Sequence, residues 1–268
     1  MAKKKNINPQ ILMRNYMMER LLERIASSPY KENFVLKGGL LISSLIGVES
    51  RSTVDMDTTI KQKAVKIDSI KKIFEDIISI DMDDGVMFVV KKIEEIREEA
   101  DYSGFRVSID AKFENANIPI KVDITTGDVI TSKEVIYTYS LLLEERSIEI
   151  LSYNIETVLA EKFETIIKRG TANTRMRDFY DVYILYHLQI EKIDLSVLKE
   201  ALIGTAKSRG TFKVIQNGDE IIEEVLNSEV MSNNWKKYRN KYSYASDLSW
   251  TQIGDSVKAI WDSFSLDR

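Results

Sequence analysis

The chain has 268 residues, 44% hydrophobic and 30% charged, a balance that excludes a disordered protein and allows a sizeable buried core. It contains no cysteine, which excludes disulfides, thiolate metal sites and cysteine nucleophiles together, and permits a reducing compartment. A net charge of −4 excludes a general nucleic-acid coat, though not a local basic groove.

At the start, Lys3-Lys4-Lys5 form a basic run with no apolar stretch behind it, so they read as a solubilising tail and not a secretory signal. No apolar run approaches the ~20 residues of a membrane helix, and a cytoplasmic protein without membrane contact is expected. Pro9 just inside a periodic segment, with Asn8 as its cap, predicts a helix over 9–27. Phe34-Val35-Leu36 reads as a short strand, and Gly38-Gly39 opens a second helix through Leu45. Val54 to Ile60 reads as a strand, and Ile67, Ile70, Ile73, Phe74, Ile77 and Ile78 follow helical spacing. Strands are then expected over 86–96, 105–113 and 118–125. The segment 135–150 is apolar, with a period that leaves its type open.

Helical periodicity dominates from Asn154, with helices expected over 155–169, 174–188, 194–207, 218–227 and 249–265. The chain is therefore read as an α+β protein in two parts: an α/β lobe over 1–150 and a helical lobe over 151–268. The only histidine, His187, sits among Ile184, Tyr186 and Leu188, where packing is its expected role. Any metal chemistry must then use oxygen ligands, which favours Mg²⁺ or Mn²⁺.

The segment Arg51-Ser52-Thr53-Val54-Asp55-Met56-Asp57 carries the most chemistry. On a strand, residues two apart share a face, so Asp55 and Asp57 aim two carboxylates at one point. Such a pair repels unless a cation lies between them, and a divalent ion removes that penalty. The bland alternative is a solvent-facing strand, since Asp-x-Asp is common by chance. Lys37-Gly38-Gly39 offers a turn at which backbone N–H groups and a helix N-terminus approach phosphate oxygens. Asp123, with Lys121 on the same face of a later strand, offers a third acid, either for a second metal or as the base for an acceptor hydroxyl.

Two further readings concern the helical lobe. On the helix containing Ile155, Leu159, Phe163 and Ile166, Lys162 falls in the middle of the apolar arc. It either snorkels to solvent or faces an anionic ligand. Asp178 and Asp181 lie on the next, largely apolar helix, where pairing with Arg175 and Arg177 is the plain reading. The basic and aromatic stretch from Trp235 to Tyr242 suits RNA backbone contact and base stacking, or a solvated helix face.

Taken in order, Phe34 to Gly39, Arg51 to Asp57, Leu159-Ala160-Glu161-Lys162 and Arg175 to Asp181 resemble the signature of the AbiEii-type toxins. These are nucleotidyltransferases with a polymerase-β-like palm, here followed by a helical C-terminal lobe. The sequence departs from their pattern at Leu40, where a small or hydroxyl residue is expected, and at the less apolar Thr58-Thr59-Ile60. The resemblance implies an abortive-infection or toxin–antitoxin protein of antiviral defence, with a cognate antitoxin encoded nearby. It implies transfer of a nucleotide from an NTP to an acceptor such as tRNA, with Asp55, Asp57 and Asp123 binding two Mg²⁺ ions.

It further implies that Lys162 contacts the triphosphate and that one acid of the following helix, Asp178 first, reaches the active site. Lys37, Gly38, Gly39, Arg51, Thr53, Lys121 and Asp181 would line the substrate. Arg51 either neutralises phosphate or pairs with a local acid. Two other functions fit the same palm: an antibiotic-modifying nucleotidyltransferase, and a non-catalytic module that binds a nucleotide or a partner.

Overall fold

A computed structural model describes residues 8–61, 66–97 and 103–263; the Lys3-Lys4-Lys5 run lies outside them. The chain divides into two compact units, Met1–Asp128 with Glu134–Tyr153, and Val129–Lys133 with Asn154–Arg268. The protein is mixed α and β, as the sequence pattern predicts.

The first unit begins with α1 (Pro9–Ser27), whose Asn8 cap accepts a hydrogen bond from the Gln10 N–H at 2.8 Å. There follow β1 (Phe34–Lys37), α2 (Gly38–Ile46), β2 (Met56–Ile60), α3 (Ile67–Ile78), β3 (Val86–Arg97), β4 (Ser103–Phe113) and β5 (Ala116–Thr126). The ambiguous apolar stretch resolves into the hairpin β6 (Val135–Ser140) and β7 (Ser147–Ser152). All seven strands form one sheet in the order β3-β4-β5-β2-β1-β7-β6. Within it β2 runs parallel to β5 and β1 parallel to β7, while the other neighbours are antiparallel.

Period-2 patterning decides which face of the sheet is covered. Phe105, Val107, Ile109 and Ala111 of β4 are buried, as are Ile120, Val122 and Ile124 of β5, so the alternate residues Arg106 and Asp123 project from the opposite face. Helix α3 buries Ile70, Phe74 and Ile77, and Phe74 meets Phe34 edge-on at 6.1 Å. The threonines that make β2 less apolar than expected are buried too. Thr59 Oγ1 donates to the Thr125 carbonyl at 3.1 Å, and Thr58 Oγ1 to that of Asp123 at 3.4 Å. Each hydroxyl thereby replaces the water it loses.

The second unit holds α4 (Ile155–Arg169), α5 (Met176–Gln189), α6 (Leu195–Ser208), the single turn α7 (Phe212–Ile215), α8 (Gly218–Asn227), α9 (Glu229–Lys241) and α10 (Trp250–Ser263). Side chains cap α4, α6 and α9: Asn154, Asp194 and Ser228 accept from Thr157, from Ser196 and Val197, and from Met231. Phe163, Phe179, Leu202, Trp235 and Ile253 are among its buried side chains.

One carboxyl in the first unit is sealed away from water. Glu19 of α1 is 1% exposed, and it accepts from the Leu142 N–H at 3.1 Å and the Tyr139 hydroxyl at 3.2 Å. Burial pushes its pKa up to about 7, against the pull of those donors and of Arg20. A carboxyl raised in the folded state stabilises fully below its unfolded pKa and loses that contribution as pH rises towards about 7. Glu19→Gln should therefore gain on wild type between pH 5 and 8, by on the order of 3 kcal/mol at the upper end. Denaturant titrations across that range check it, and a constant difference between the two proteins would contradict it.

Candidate active site

The acidic end of β2 is built around a close backbone approach. Gly38 has φ +63, and a Cβ placed there would lie 2.2 Å from Asp57 Oδ2. The Gly39 N–H donates to that same oxygen at 3.1 Å. A Cβ on Gly39 would lie 2.3 Å from Arg51 Nη1 and 2.5 Å from Thr53 Oγ1. In this structure, then, the glycine turn receives a carboxylate and two side chains of the following loop.

Asp55 and Asp57 do not share a strand. Strand β2 begins at Met56, and Asp55 lies in the bend before it. That bend is tied down: Thr53 Oγ1 donates to the Asp55 carbonyl at 3.2 Å, and buried Asn15 of α1 donates to the Thr53 carbonyl at 3.1 Å. Alternation therefore places Asp57, and the anchored loop places Asp55.

The register across the sheet supplies the rest. Lys37 stands opposite Asp57, Asp57 opposite Asp123, Asp123 opposite Arg106, and Arg106 opposite Glu94. Directly opposed residues project from one face, so these five form a cross-strand row. Asp123 binds Arg106 with both oxygens, Oδ1 to Nε at 2.7 Å and Oδ2 to Nη2 at 2.6 Å. Those hydrogen bonds and the charges of Asp123, Asp55 and Glu94 raise the pKa of Arg106, against partial burial. Lys121 is exposed on the same face of β5.

Lys37 is placed differently from the expected phosphate contact. It is 6% exposed, and its Nζ lies 2.7 Å from Asp128 Oδ2 and over the Tyr153 ring. Burial alone would push the Asp128 carboxyl up. The Lys37 ammonium and the hydroxyls of Thr125 and Tyr153 instead hold it at about 2. An ammonium on a fully buried strand requires a counter-charge, and Asp128 supplies it.

In the second unit, Lys162 neither snorkels nor lacks an acidic partner. Its Nζ lies 2.7 Å from Asp178 Oδ1 and 3.2 Å from Asp181 Oδ2. Their side chains are 14%, 4% and 0% exposed. Arg175 approaches Asp178 at 3.4 Å, while Arg177 stacks over the Tyr242 ring. The stretch from Trp235 also changes meaning. It lies mostly on α9, with Trp235 1% exposed and donating to the Leu248 carbonyl at 2.9 Å. Arg239 reaches the same carbonyl, whereas Lys236, Lys237 and Lys241 are exposed. Trp235 is thus a core residue and offers no base-stacking surface.

Arg106 and Asp128 are the residues that reading the sequence missed. Arg106 was legible as a cation in the polar set of β4. Asp128, beyond the end of β5, carries no periodic signal.

Two variants test this geometry. Lys162→Ala should destabilise the second unit by about 3 kcal/mol, because it leaves two buried carboxylates short of a cation; chemical denaturation measures it, and an unchanged midpoint refutes the pairing. Gly38→Ala should displace Asp57 and lower stability by about 1 to 3 kcal/mol from the positive φ alone. Ala at Gly210, also at φ +66 but with nothing within 4 Å, is its control for backbone strain without a side-chain clash.

The sequence profile described as nucleotidyl transferase AbiEii toxin, type IV toxin–antitoxin system, matches residues 20–263. No curated protein matches the sequence. Among solved structures, JHP933 of Helicobacter pylori is similar at 16% identity and a TM-score of 0.55, over 96% of this chain and 94% of that one. A candidate nucleotidyltransferase from Helicobacter pylori is similar at 15% identity and a TM-score of 0.52, over 96% and 97%. At these identities the likeness is one of fold.

Proposed function

The chain belongs to the AbiEii family of nucleotidyltransferase toxins of type IV toxin–antitoxin systems, and from that premise we propose that it transfers a nucleotide from an NTP to an RNA hydroxyl, with Asp55 and Asp57 holding a divalent ion. Membership of this family implies a cognate antitoxin as partner. Among the described residues no helix is long and apolar enough to cross a membrane.

The observation that carries the proposal is the space cleared around Asp57. A Cβ at Gly38 would collide with its carboxylate, and the Gly39 N–H fixes one oxygen at 3.1 Å. Among the described residues no group of three or more acidic or histidine side chains is placed to cage a metal. Magnesium is commonly held by one or two carboxylates together with substrate phosphates. The hard oxygens of Asp55 and Asp57 fit this donor set. When bound, the ion supplies neutralisation of triphosphate charge and a lowered pKa for the attacking hydroxyl.

The chain's own residues do the positioning. Gly39 orients Asp57, and Asn15 with Thr53 fixes the bend that carries Asp55. An RNA acceptor is supported by α9, which leaves Lys236, Lys237 and Lys241 exposed around the half-exposed Tyr242. Cations and an aromatic face suit phosphate and an unpaired 3′ base, and the protein's net negative charge confines such binding to a local patch.

Incubation with labelled NTPs and total RNA tests the reading directly. Asp57→Asn should lower transfer at least about 100-fold, the scale lost when preorganised charge is removed from an active site, with circular dichroism unchanged. Near-normal transfer by a folded Asp57→Asn protein would refute the metal assignment. Replacing Lys236, Lys237 and Lys241 together by Glu should weaken transfer to RNA while leaving NTP binding intact. Unchanged transfer would move the acceptor site elsewhere.

A further inference from the structure

Several sheltered cations of this protein meet acids at close range. Arg24 lies 2.8 Å from Asp84, Lys37 2.7 Å from Asp128, and Arg209 2.6 and 2.8 Å from Glu161 and Glu164. Arg177 is held differently. It is half-buried in the first turn of α5, and among the described residues no carboxylate forms an ion pair with it. Asp181 acts on it through space, but one oxygen of Asp181 lies 3.2 Å from Lys162. Tyrosines surround the guanidinium instead. It lies over the Tyr242 ring at 5.5 Å, and its Nη2 donates to the Tyr242 hydroxyl across a long 3.4 Å.

Tyr242 follows α9 directly, and Tyr244 stands in the single turn Ser243–Ala245 after it. The rings of Tyr238 and Tyr244 lie 4.7 and 5.4 Å from that of Tyr242, and their own hydroxyls meet at 2.9 Å. Burial works against the charge of Arg177, while Tyr244, Tyr238 and Tyr242 favour it. Neutral hydroxyls and ring faces offset only part of what a counter-charge would. Position adds a second cost, because a cation in the first turn of a helix meets the positive end of its dipole. An anion arriving here would relieve both.

The chemistry suits phosphate. A guanidinium fork matches two phosphate oxygens, and tyrosine hydroxyls can donate to others. Exposed Lys241 adds a second cation, its Nζ 5.4 Å from the same Tyr242 ring. Lys237, one turn back on α9, is exposed as well. Cations spaced along a helix beside a sheltered arginine suit successive phosphates of a chain better than one small ion.

We propose that Arg177, framed by Tyr238, Tyr242 and Tyr244, binds one backbone phosphate of the RNA acceptor, with Lys241 on the phosphate next to it. The inference rests on the nucleotidyltransferase reading above and adds to it a residue that seats the acceptor. Arg177 is then a binding residue and takes no part in the bond exchange. The Tyr242 ring holds the plane of the guanidinium, and its weakly engaged hydroxyl gives way to a phosphate oxygen as acceptor.

The test measures binding of a fluorescein-labelled single-stranded RNA to the full-length protein by anisotropy over a range of salt, beside calorimetry with an NTP. Arg177→Gln should weaken RNA binding about tenfold, the scale of one charge-assisted contact. It should also lower the slope of log Kd against log salt by about one, while NTP affinity holds and the denaturation midpoint does not fall. Arg177→Lys keeps the charge but loses the fork, so the salt slope should hold while affinity drops. Tyr242→Phe keeps the ring and removes the hydroxyl, and should weaken RNA binding about threefold.

Unchanged RNA affinity and salt slope in Arg177→Gln overturn the inference. So does a loss of NTP affinity with RNA binding intact, which puts the triphosphate on this arginine. Should Arg177→Gln fail to fold, unchanged RNA affinity in both Arg177→Lys and Tyr242→Phe overturns it. The two readings fail separately. Transfer to RNA by wild type, with Arg177→Gln binding RNA equally well, refutes only the role of Arg177. Binding of RNA through Arg177 by a wild type that transfers nothing refutes only the transferase reading.

Discussion

Between the Gly38 backbone and the Asp57 carboxylate there is room for a hydrogen atom and nothing larger, because a Cβ there would come within 2.2 Å of Oδ2. From that contact the rest of the first unit's acidic end can be traced. Strand β1 must end in a turn at positive φ, a conformation that glycine adopts at little cost. The next backbone N–H then points at Asp57, and the flesh of Arg51 and Thr53 closes on Gly39. Thr53 is held in turn by Asn15 of α1. A single carboxylate position thereby links β1, α2, the loop before β2 and the first helix. Gly38 takes the positive φ at little cost, and Gly39 leaves the space that Arg51 and Thr53 fill.

Burial governs the charges around this contact. Lys37 and Lys162 lie on elements whose other residues face a core, and long cations in such places must find acids inside the same unit. They do so at Asp128, and at Asp178 with Asp181. Each is therefore a structural cation first, and its stem belongs to the packing. Arg106 differs because its strand alternates. It projects from the polar face of β4, a third of its side chain is exposed, and its partner is one of the three acids at the candidate site.

The same distinction explains what was legible in the sequence. Amphipathic periods are local, so α1, α3, β4 and α4 are visible in the spacing of Leu, Ile, Val and Phe. The 135–150 segment lacks a clear period because Ile136 is exposed on the outermost strand while Ile150 is buried, which blurs the alternation. The start of β2 depends on its hydrogen-bond partner on β5, and no property of Val54 or Asp55 reveals it. The acidic partners of Lys162 lie on another helix, out of reach of a single helical wheel. The pairing of Arg106 with Asp123, by contrast, was within reach. Phe113 pairs with Ala116 across the two-residue turn Glu114-Asn115, and counting back equally along both strands sets Arg106 opposite Asp123. Recognition of that turn would have identified the cation.

Exposure then separates the two acidic groupings that the sequence presents as equals. In the second unit, Lys162 lies between Asp178 and Asp181, all three largely buried, while the half-exposed Arg175 approaches Asp178 and the charge of Arg177 acts on Asp181. The cations give these buried carboxylates counter-charge inside the unit that holds them. At the end of β2, Asp55, Asp57 and Asp123 are all partly open to solvent, and the guanidinium of Arg106 holds Asp123. Carboxylates gathered by an anchored loop and two glycines repel one another unless cations lie among them. In the proposed function the divalent ion is such a cation, and the solvent-open acids of the first unit, not the buried ones of the second, are those it would reach.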